Sequence, residues 1–269
     1  MLKTFNPYAD LSNNTGGFFS ECTFRIAWIL NFFSNYRTLP DSIDSSQQFM
    51  LYKIDESEDI TKKLFIDVNT QIQYEEDIDF YANYQFKEYK LLKYDQIKPF
   101  ITKYFSPCQF ILDKKQELLE KYNIDVTNTI GVYYRGTDKK TEIKKVAYSD
   151  YIEKLKEIYT GKETILIQSD EKQFIDFAKE IFPNCICFSE TKVSTIDKGI
   201  HYQNTKEENY HDIQYFFAAV LILSQCKHLI TGVSNCSLWI CLYRGSNNNL
   251  HQNFYGKFIT VEVDGERLP

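Results

Sequence analysis

The sequence predicts an α/β protein whose carboxy-terminal half is a parallel sheet covered by helices. Three observations carry that expectation. From residue 129 onward short β-type runs alternate with helical patterns, the signature of strands joined by helical crossovers. Several of those runs end in polar, charged or small residues, and in wound sheets ligands sit just outside the carboxyl ends of the strands. The chain is 43% apolar and 16% aromatic, ample for a packed core and incompatible with disorder.

The alternation reads as strand 129–134, helix 149–159, strand 164–168, helix 171–181, strand 185–188, helix 208–226, strand 228–231, helix 235–243 and strand 258–263. The helix at 208–226 is apolar nearly all round, which marks a core element rather than a partner-binding stripe. The amino-terminal half is less regular. A mostly buried helix over 20–36 follows Gly16 and Gly17, short strands are expected at 48–52 and 64–67, and helices at 94–105 and 113–122. Pro99 interrupts the first of that pair and Pro107 separates the two. The acidic runs at 55–59 and 75–79 read as solvated loops.

At 269 residues the chain accommodates two small lobes with little room for insertions. The net charge of −6, with no local basic patch, excludes general nucleic-acid binding but leaves a small anion open. The opening stretch 1–7 lacks a basic run followed by an apolar one. No window approaches the ~18 apolar residues of a membrane span, so a cytoplasmic chain without an anchor is expected. Seven cysteines, an odd number without paired ligand spacing, read as reduced thiols. Cys185 and Cys187 alternate on one side of a strand but lack two further ligands for a metal. The four histidines show no metal spacing and no nucleophile partner, and read as structural or exposed.

The main candidate for chemistry is the strand end Gly131-Val132-Tyr133-Tyr134-Arg135-Gly136-Thr137-Asp138-Lys139. Arginine offers a planar fork of donors to a diphosphate, Gly136 permits close backbone approach, and Thr137 adds a hydroxyl. Arg135 is one of only five arginines among 31 basic residues. A surface ion pair between Arg135 and Asp138 explains the same residues equally well. A second candidate is the pair Gly16-Gly17 opening a helix, where backbone N–H groups favour anions, although a tight turn before a core helix needs nothing more.

The string Tyr133-Tyr134-Arg135-Gly136-Thr137-Asp138-Lys139 with Thr141-Glu142 resembles the His-x-Arg-x-Thr-Asp-Lys region of α1,6- and nodulation fucosyltransferases. Two further segments resemble the same family in order and spacing: Ile165 to Glu171 running into a helix, and Leu223 to Asn235. Together they cover about the carboxy-terminal half. The resemblance implies a GT-B-like fold, with two Rossmann-like lobes and a cleft between them. The first lobe (1–110) would be small, irregular and on the acceptor side, and the second (125–262) would bind the nucleotide-sugar.

It also implies an inverting, metal-independent transferase that takes GDP-fucose as donor and a glycan or protein hydroxyl as acceptor, with no cofactor. By position Arg135 grips the β-phosphate, assisted by Thr137, Asp138 and Lys139. Asp170 reads the guanine or ribose, while Thr231, Ser234 and Asn235 present donors to the diphosphate. Glu142 and Tyr151 line the donor pocket. In the related protein O-fucosyltransferases a glutamate accompanies the glycine turn, so Gly16 and Gly17 face the cleft and Glu21 is the candidate base. The sequence departs from the family at Tyr133 (usually His), Gly136 (a second Arg) and Ala219 (Asp), which opens two alternatives: another GDP- or UDP-sugar donor, or a non-catalytic nucleotide-sugar or glycan-binding module. Asp212, two helical turns before Ala219, is a distant substitute for the missing carboxylate.

Overall fold

The computed structural model describes residues 4–5, 16–70, 72, 77–142 and 146–261. Most of the opening stretch 1–7, Thr15 beside the glycine turn, Glu75 and Glu76 of the second acidic run and the continuation of the last strand to Val263 lie outside the described residues. In chain order the elements are β1 (Thr4–Phe5), α1 (Phe18–Tyr36), β2 (Ser42–Ile43), α2 (Thr61–Leu64), β3 (Phe65–Ile66), α3 (Tyr94–Phe105), β4 (Ser106–Pro107) and α4 (Gln109–Lys121). They continue with β5 (Thr129–Tyr134), α5 (Tyr148–Ile158), β6 (Thr164–Ser169), α6 (Lys172–Ile181), α7 (Lys206–Gln225), β7 (His228–Thr231), α8 (Asn235–Arg244), β8 (Leu250–Phe254) and β9 (Lys257–Val261).

Five strands form one sheet in the order β6-β5-β7-β8-β9; the first four run parallel and β9 returns antiparallel to β8. From β5 the chain winds out to β6, then crosses back over to β7 on the other side of β5. The two connections therefore leave opposite sides of β5, and the crevice between the carboxyl ends of β5 and β7 is the switch point of the sheet.

Both faces are covered because residues alternate across each strand. Ile130, Val132, Tyr134, Ile165, Ile167 and Ile230 pack with α5 and α6 on one face. Tyr133, Leu166 and Leu229 share the other face with α7 and α8, and with α1, α3 and α4 from the amino-terminal half. Helix α1 is drawn into this larger core by Phe18 and Phe19, whose rings lie 6.2 and 5.9 Å from that of Phe217 on α7. Helix α7 starts at a capping box, Thr205 with Glu208, and then buries Ile213 and most of 217–224.

Where sheet and α7 meet, they meet closely. A Cβ on Gly131 would fall 3.0 Å from both Cys226 Sγ and Leu223 Cδ2, so the absence of a side chain lets the end of α7 lie directly on β5. All seven cysteines are free thiols. No helix among the described residues is long and apolar enough to cross a membrane.

The structure departs from the sequence expectations in five places. A second Rossmann-like sheet is not formed: ahead of residue 129 the described residues pair only as the two-residue strands β1–β2 and β3–β4. The run at 48–52 is a pair of turns, not a strand. Phe49 takes a positive φ of 59° while it and Tyr52 supply buried rings, so its apolar residues fill the core without a ladder. The expected strand at 185–188 is reduced to one bridge between Ile186 and Leu166.

Helix α3 runs through Pro99, held by the burial of Ile97, Phe100, Ile101, Tyr104 and Phe105 around it. Conversely, β8 is a strand that periodicity does not announce, because His251, Gln252 and Asn253 are polar yet buried. Gln252 is satisfied across the fold, accepting from Tyr89 N at 2.7 Å and donating to Lys87 O at 3.0 Å.

The contact of α7 with β5 has a measurable consequence. Gly131→Ala forces a methyl into a space closed by Leu223 and Cys226, and is expected to cost about 1–3 kcal/mol. Thermal or denaturant unfolding reads this directly; an unchanged midpoint would mean that α7 yields to the methyl without loss.

Candidate functional site

At the switch point the structure has a cavity of about 280 Å³, at the lower end of the range of small-molecule sites. Arg135 follows β5, Gln168 to Asp170 end β6, Ser234 to Cys236 open α8 after β7, and Gly16 to Ser20 open α1; all line it. Two helix amino-termini and an arginine thus converge on one space. Each helix start carries partial positive charge and N–H groups not used within the helix.

The loop after β5 is organised by one carboxylate. Asp170 Oδ1 accepts from Gly136 N at 2.8 Å, and its Oδ2 accepts from Thr137 Oγ1 and pairs with Arg135. Arg135 also donates to Thr137 Oγ1 at 2.9 Å and to Asp138 Oδ1 at 2.5 Å. The Arg135 side chain is 18% exposed. These contacts engage three of its five N–H donors. The two alternatives raised by the sequence therefore coexist: Arg135 forms the ion pair with Asp138 and lines the cavity as well.

Lys139 points back toward the amino-terminal half. It is 4% exposed, donates to Gln85 Oε1 at 2.9 Å and to Glu142 Oε2 at 2.6 Å, and lies 4.7 Å over the ring of Phe86. Burial lowers its pKa, while Glu142 works in the opposite direction. At α8 the Ser234 hydroxyl caps the helix by accepting from Ser237 N at 3.0 Å, and Thr231 Oγ1 donates to Ser237 Oγ at 2.8 Å. Tyr89 from the amino-terminal half closes this corner, its hydroxyl accepting from Ser234 N and donating to Ser234 O.

Of the residues expected from the sequence, Gly16, Gly17, Arg135, Asp138, Lys139, Glu142, Asp170, Ser234 and Asn235 line the cavity. Four do not, and each has a physical reason. Thr137 is 1% exposed and spent on the Asp170 clamp. Thr231 is fully buried in the hydroxyl chain beneath α8. Tyr151 lies on the opposite face of the sheet, among the rings of Tyr134, Phe174 and Phe258. Glu21, expected as the base, is fully buried behind the glycine turn, where its Oε1 accepts from Gly16 N at 3.2 Å. Burial raises its pKa to about 7, against hydrogen bonds that lower it.

Two further expectations change in detail. Asp170 lines the cavity and in addition organises the loop after β5, its Oδ1 meeting Gly136 N and its Oδ2 meeting Thr137 and Arg135. Gly136 permits the approach of a protein side chain rather than a diphosphate: a Cβ there would fall 2.1 Å from Glu171 Oε2 and 2.6 Å from its Cβ.

Three further residues line the cavity: His201 and Gln168, to which the sequence reading gives no part, and Asp212, its distant substitute carboxylate. His201, treated as structural or exposed, stands beside Gly17; burial lowers its pKa to about 4, which keeps the imidazole neutral at pH 7. Asp212 reaches the cavity while Ala219 is sealed in the core, so the distant carboxylate is the one present. Asp212 accepts from Asn204 Nδ2 at 2.8 Å and pairs with Lys192 at 3.2 Å. Gln168 lies on the α7 face of β6 opposite Tyr133. The signal for it is present in the sequence: it is a polar residue at a position where alternation with Leu166 calls for an apolar one. Among the described residues no group of three His, Cys, Asp or Glu is arranged to hold a metal ion.

No family model matches this sequence, and no curated protein sequence matches it. Solved structures do. The structure is similar to NodZ α-1,6-fucosyltransferase co-crystallised with GDP, and to NodZ soaked with GDP-fucose, each at 15% identity and a TM-score of 0.41 over 58% of this chain. It is similar also to Se-Met fucosyltransferase NodZ from Bradyrhizobium, at 14% identity and the same TM-score. The matched part spans 48–49% of the NodZ chains, about half of their length.

Proposed function

We propose that the protein is a glycosyltransferase that binds a nucleoside-diphosphate sugar in the switch-point cavity, with GDP-fucose as donor and a glycan or protein hydroxyl as acceptor. The single observation that carries this reading is the convergence of Arg135 with the amino-termini of α1 and α8 at the crevice between β5 and β7. Each helix start contributes about 0.3–1 kcal/mol toward an anion, up to ~2 kcal/mol where it is partly buried. Residues 125–262 form the donor side and residues 1–110 the acceptor side.

In transfer the bond from the anomeric carbon to the β-phosphate oxygen breaks with its electron pair going to the diphosphate, the acceptor oxygen bonds to that carbon from the opposite face, and the acceptor's proton passes to solvent water. Negative charge gathers on the departing diphosphate. Arg135 is held by Asp170 and Asp138 before any ligand arrives, and turns its remaining N–H groups to that charge without reorganising. Lys139 and the first turn of α8 stand beside it and would supply the countercharge in a metal-independent transfer. Glu21 has no part in proton transfer, which requires hydrogen-bond reach of the acceptor. It holds the Gly16 turn at the start of α1.

A second reading, a module that binds a nucleotide-sugar without transferring it, is favoured by one observation. The lining carries Arg135, Lys139 and Lys192 against Asp138, Glu142, Asp170 and Asp212, so its cations are already neutralised by protein carboxylates. Transfer assays with GDP-fucose, other GDP-sugars and UDP-sugars over an acceptor panel separate the readings, since the module gives binding without turnover.

For the transferase, Arg135→Lys keeps the charge and loses the fork. It is expected to lower kcat/KM about 10²–10³-fold, the loss of one oriented donor. Undiminished transfer by a folded variant would overturn the role of Arg135.

Glu21 makes a separate prediction. Its folded pKa of about 7 lies above the unfolded 4.5, so the unfolded chain ionises first as pH rises. Stability is lost between those values, by roughly 3 kcal/mol in all, and changes no further above pH 7. Glu21→Gln removes this loss. Its midpoint relative to the native protein should therefore rise between pH 5 and pH 8, with transfer retained; a flat difference across that range contradicts the buried carboxyl.

A further inference from the structure

One polar group in the cavity is left without a partner. Gln168 is 2% exposed, and its Nε2 has no hydrogen-bond partner among the described residues. A buried amide N–H without an acceptor costs about 1–3 kcal/mol, so such groups in a cavity wall point to what the cavity takes up. The other end of the carboxamide is held by protein: Thr191 Oγ1, which also lies 3.1 Å from Phe188 O, donates to Gln168 Oε1 at the shorter 2.8 Å.

The surroundings restrict what can meet this N–H. Gln168 sits opposite Tyr133 on the sheet, and Tyr133, Phe216 and Ile213 make that part of the lining largely apolar. The polar exceptions are Gln168, Thr191 and Lys192 from the β6 side and Asn209 and Asp212 from α7, with Lys192 paired to one oxygen of Asp212. Arg135, Lys139 and the start of α8 lie with the loops that follow β5 and β7. A slot with apolar and aromatic walls and a few converging polar groups suits a flat heterocycle. Its donor, on Gln168, and its acceptor, the Asp212 carboxylate, complement a ring bearing a carbonyl next to an N–H.

We infer that Gln168 is the residue that reads the nucleobase, its Nε2 donating to the ring carbonyl of a lactam-type base while Asp212 accepts from the neighbouring N–H. Guanine, hypoxanthine and uracil present that edge. Adenine presents an amino donor where the carbonyl would be and meets Gln168 donor to donor. Guanine adds an exocyclic amine beside its ring N–H, a second donor for the two oxygens of Asp212. The inference rests on the nucleoside-diphosphate reading above and deepens it, since the diphosphate contacts are indifferent to the base.

Calorimetric titration of the full chain with GDP, IDP, UDP and ADP tests both layers. The native protein should bind GDP at least tenfold more tightly than ADP, the effect of one well-made hydrogen bond. IDP should fall between them if the exocyclic amine reaches Asp212. UDP matching GDP would place recognition at the shared carbonyl and N–H alone, which also supports Gln168 as reader.

Gln168→Met preserves the shape of the side chain and removes the donor. It should weaken GDP about tenfold while leaving ADP within twofold, and the retained ADP binding reports that the variant is folded. Thr191→Val, which releases the fixed end of the amide, should narrow the preference for GDP over ADP in the same direction and covers the case in which Gln168→Met does not fold. Equal weakening of GDP and ADP, or no change in either, overturns the assignment of Gln168 alone. Failure of the native protein to bind any of the four overturns this inference together with the nucleotide reading.

Discussion

The carboxylate of Asp170 is the point on which the site depends. It sits one residue past the end of β6 and takes hold of three consecutive residues beyond the end of β5: the guanidinium of Arg135, the amide of Gly136 and the hydroxyl of Thr137. Hydrogen bonds to a charged partner are worth about 1.5–3 kcal/mol each when the group is shielded from water. Asp170 is 8% exposed, so little competes for it. The clamp bridges neighbouring parallel strands at their carboxyl ends, where no ladder continues to order the chain. Without it the amide of Gly136 loses its partner, and Arg135 keeps only Thr137 and Asp138 to direct it.

That arrangement explains how an acidic lining can still serve an anion. A guanidinium flanked by carboxylates is a poor attractor at long range, because the field of the pair falls off quickly. At contact it is different. Three N–H donors hold the plane of the group, and the remaining two keep a set orientation, so a ligand oxygen meets donors that lose no further rotamer freedom. The helix starts of α1 and α8 act in the same short-range way, through N–H groups whose position is set by the fold. Binding in such a site is governed by fit rather than by steering, consistent with a chain whose net charge is −6.

Much of the donor-side architecture was legible in the sequence, and what was not has a common cause. Strands β5, β6 and β7 are apolar runs followed by helical periodicity, and the pattern that announces them is the pattern that buries them. Strand β8 escapes because its buried residues are polar, and Gln252 at its centre is satisfied by Tyr89 and Lys87, more than 160 positions away. The same distance hides the roles of individual side chains. Arg135, Asp138 and Lys139 were legible as a cavity-facing group because they are contiguous. That Asp170 is spent on them, that Gly136 makes room for Glu171, and that Glu21 faces the glycine turn rather than the cavity are facts of packing between segments, invisible to spacing.

The amino-terminal half makes the same point from the other side. Among its described residues it contributes no sheet of its own beyond paired two-residue strands, yet it builds one wall of the cavity. Its means are single long-range contacts: Gln85 to Lys139, Tyr89 to Ser234, and Thr23, which receives the indole N–H of Trp239 at 2.9 Å. Behind them the rings of Phe18 and Phe19 lock α1 to α7. Because α1 is anchored in the core shared with α7 and α8, its amino-terminus is held against the sheet's switch point. The positive end of that helix is therefore part of the site by virtue of the packing that stabilises the fold, and a change in the core beneath it alters the cavity as directly as a change in its lining.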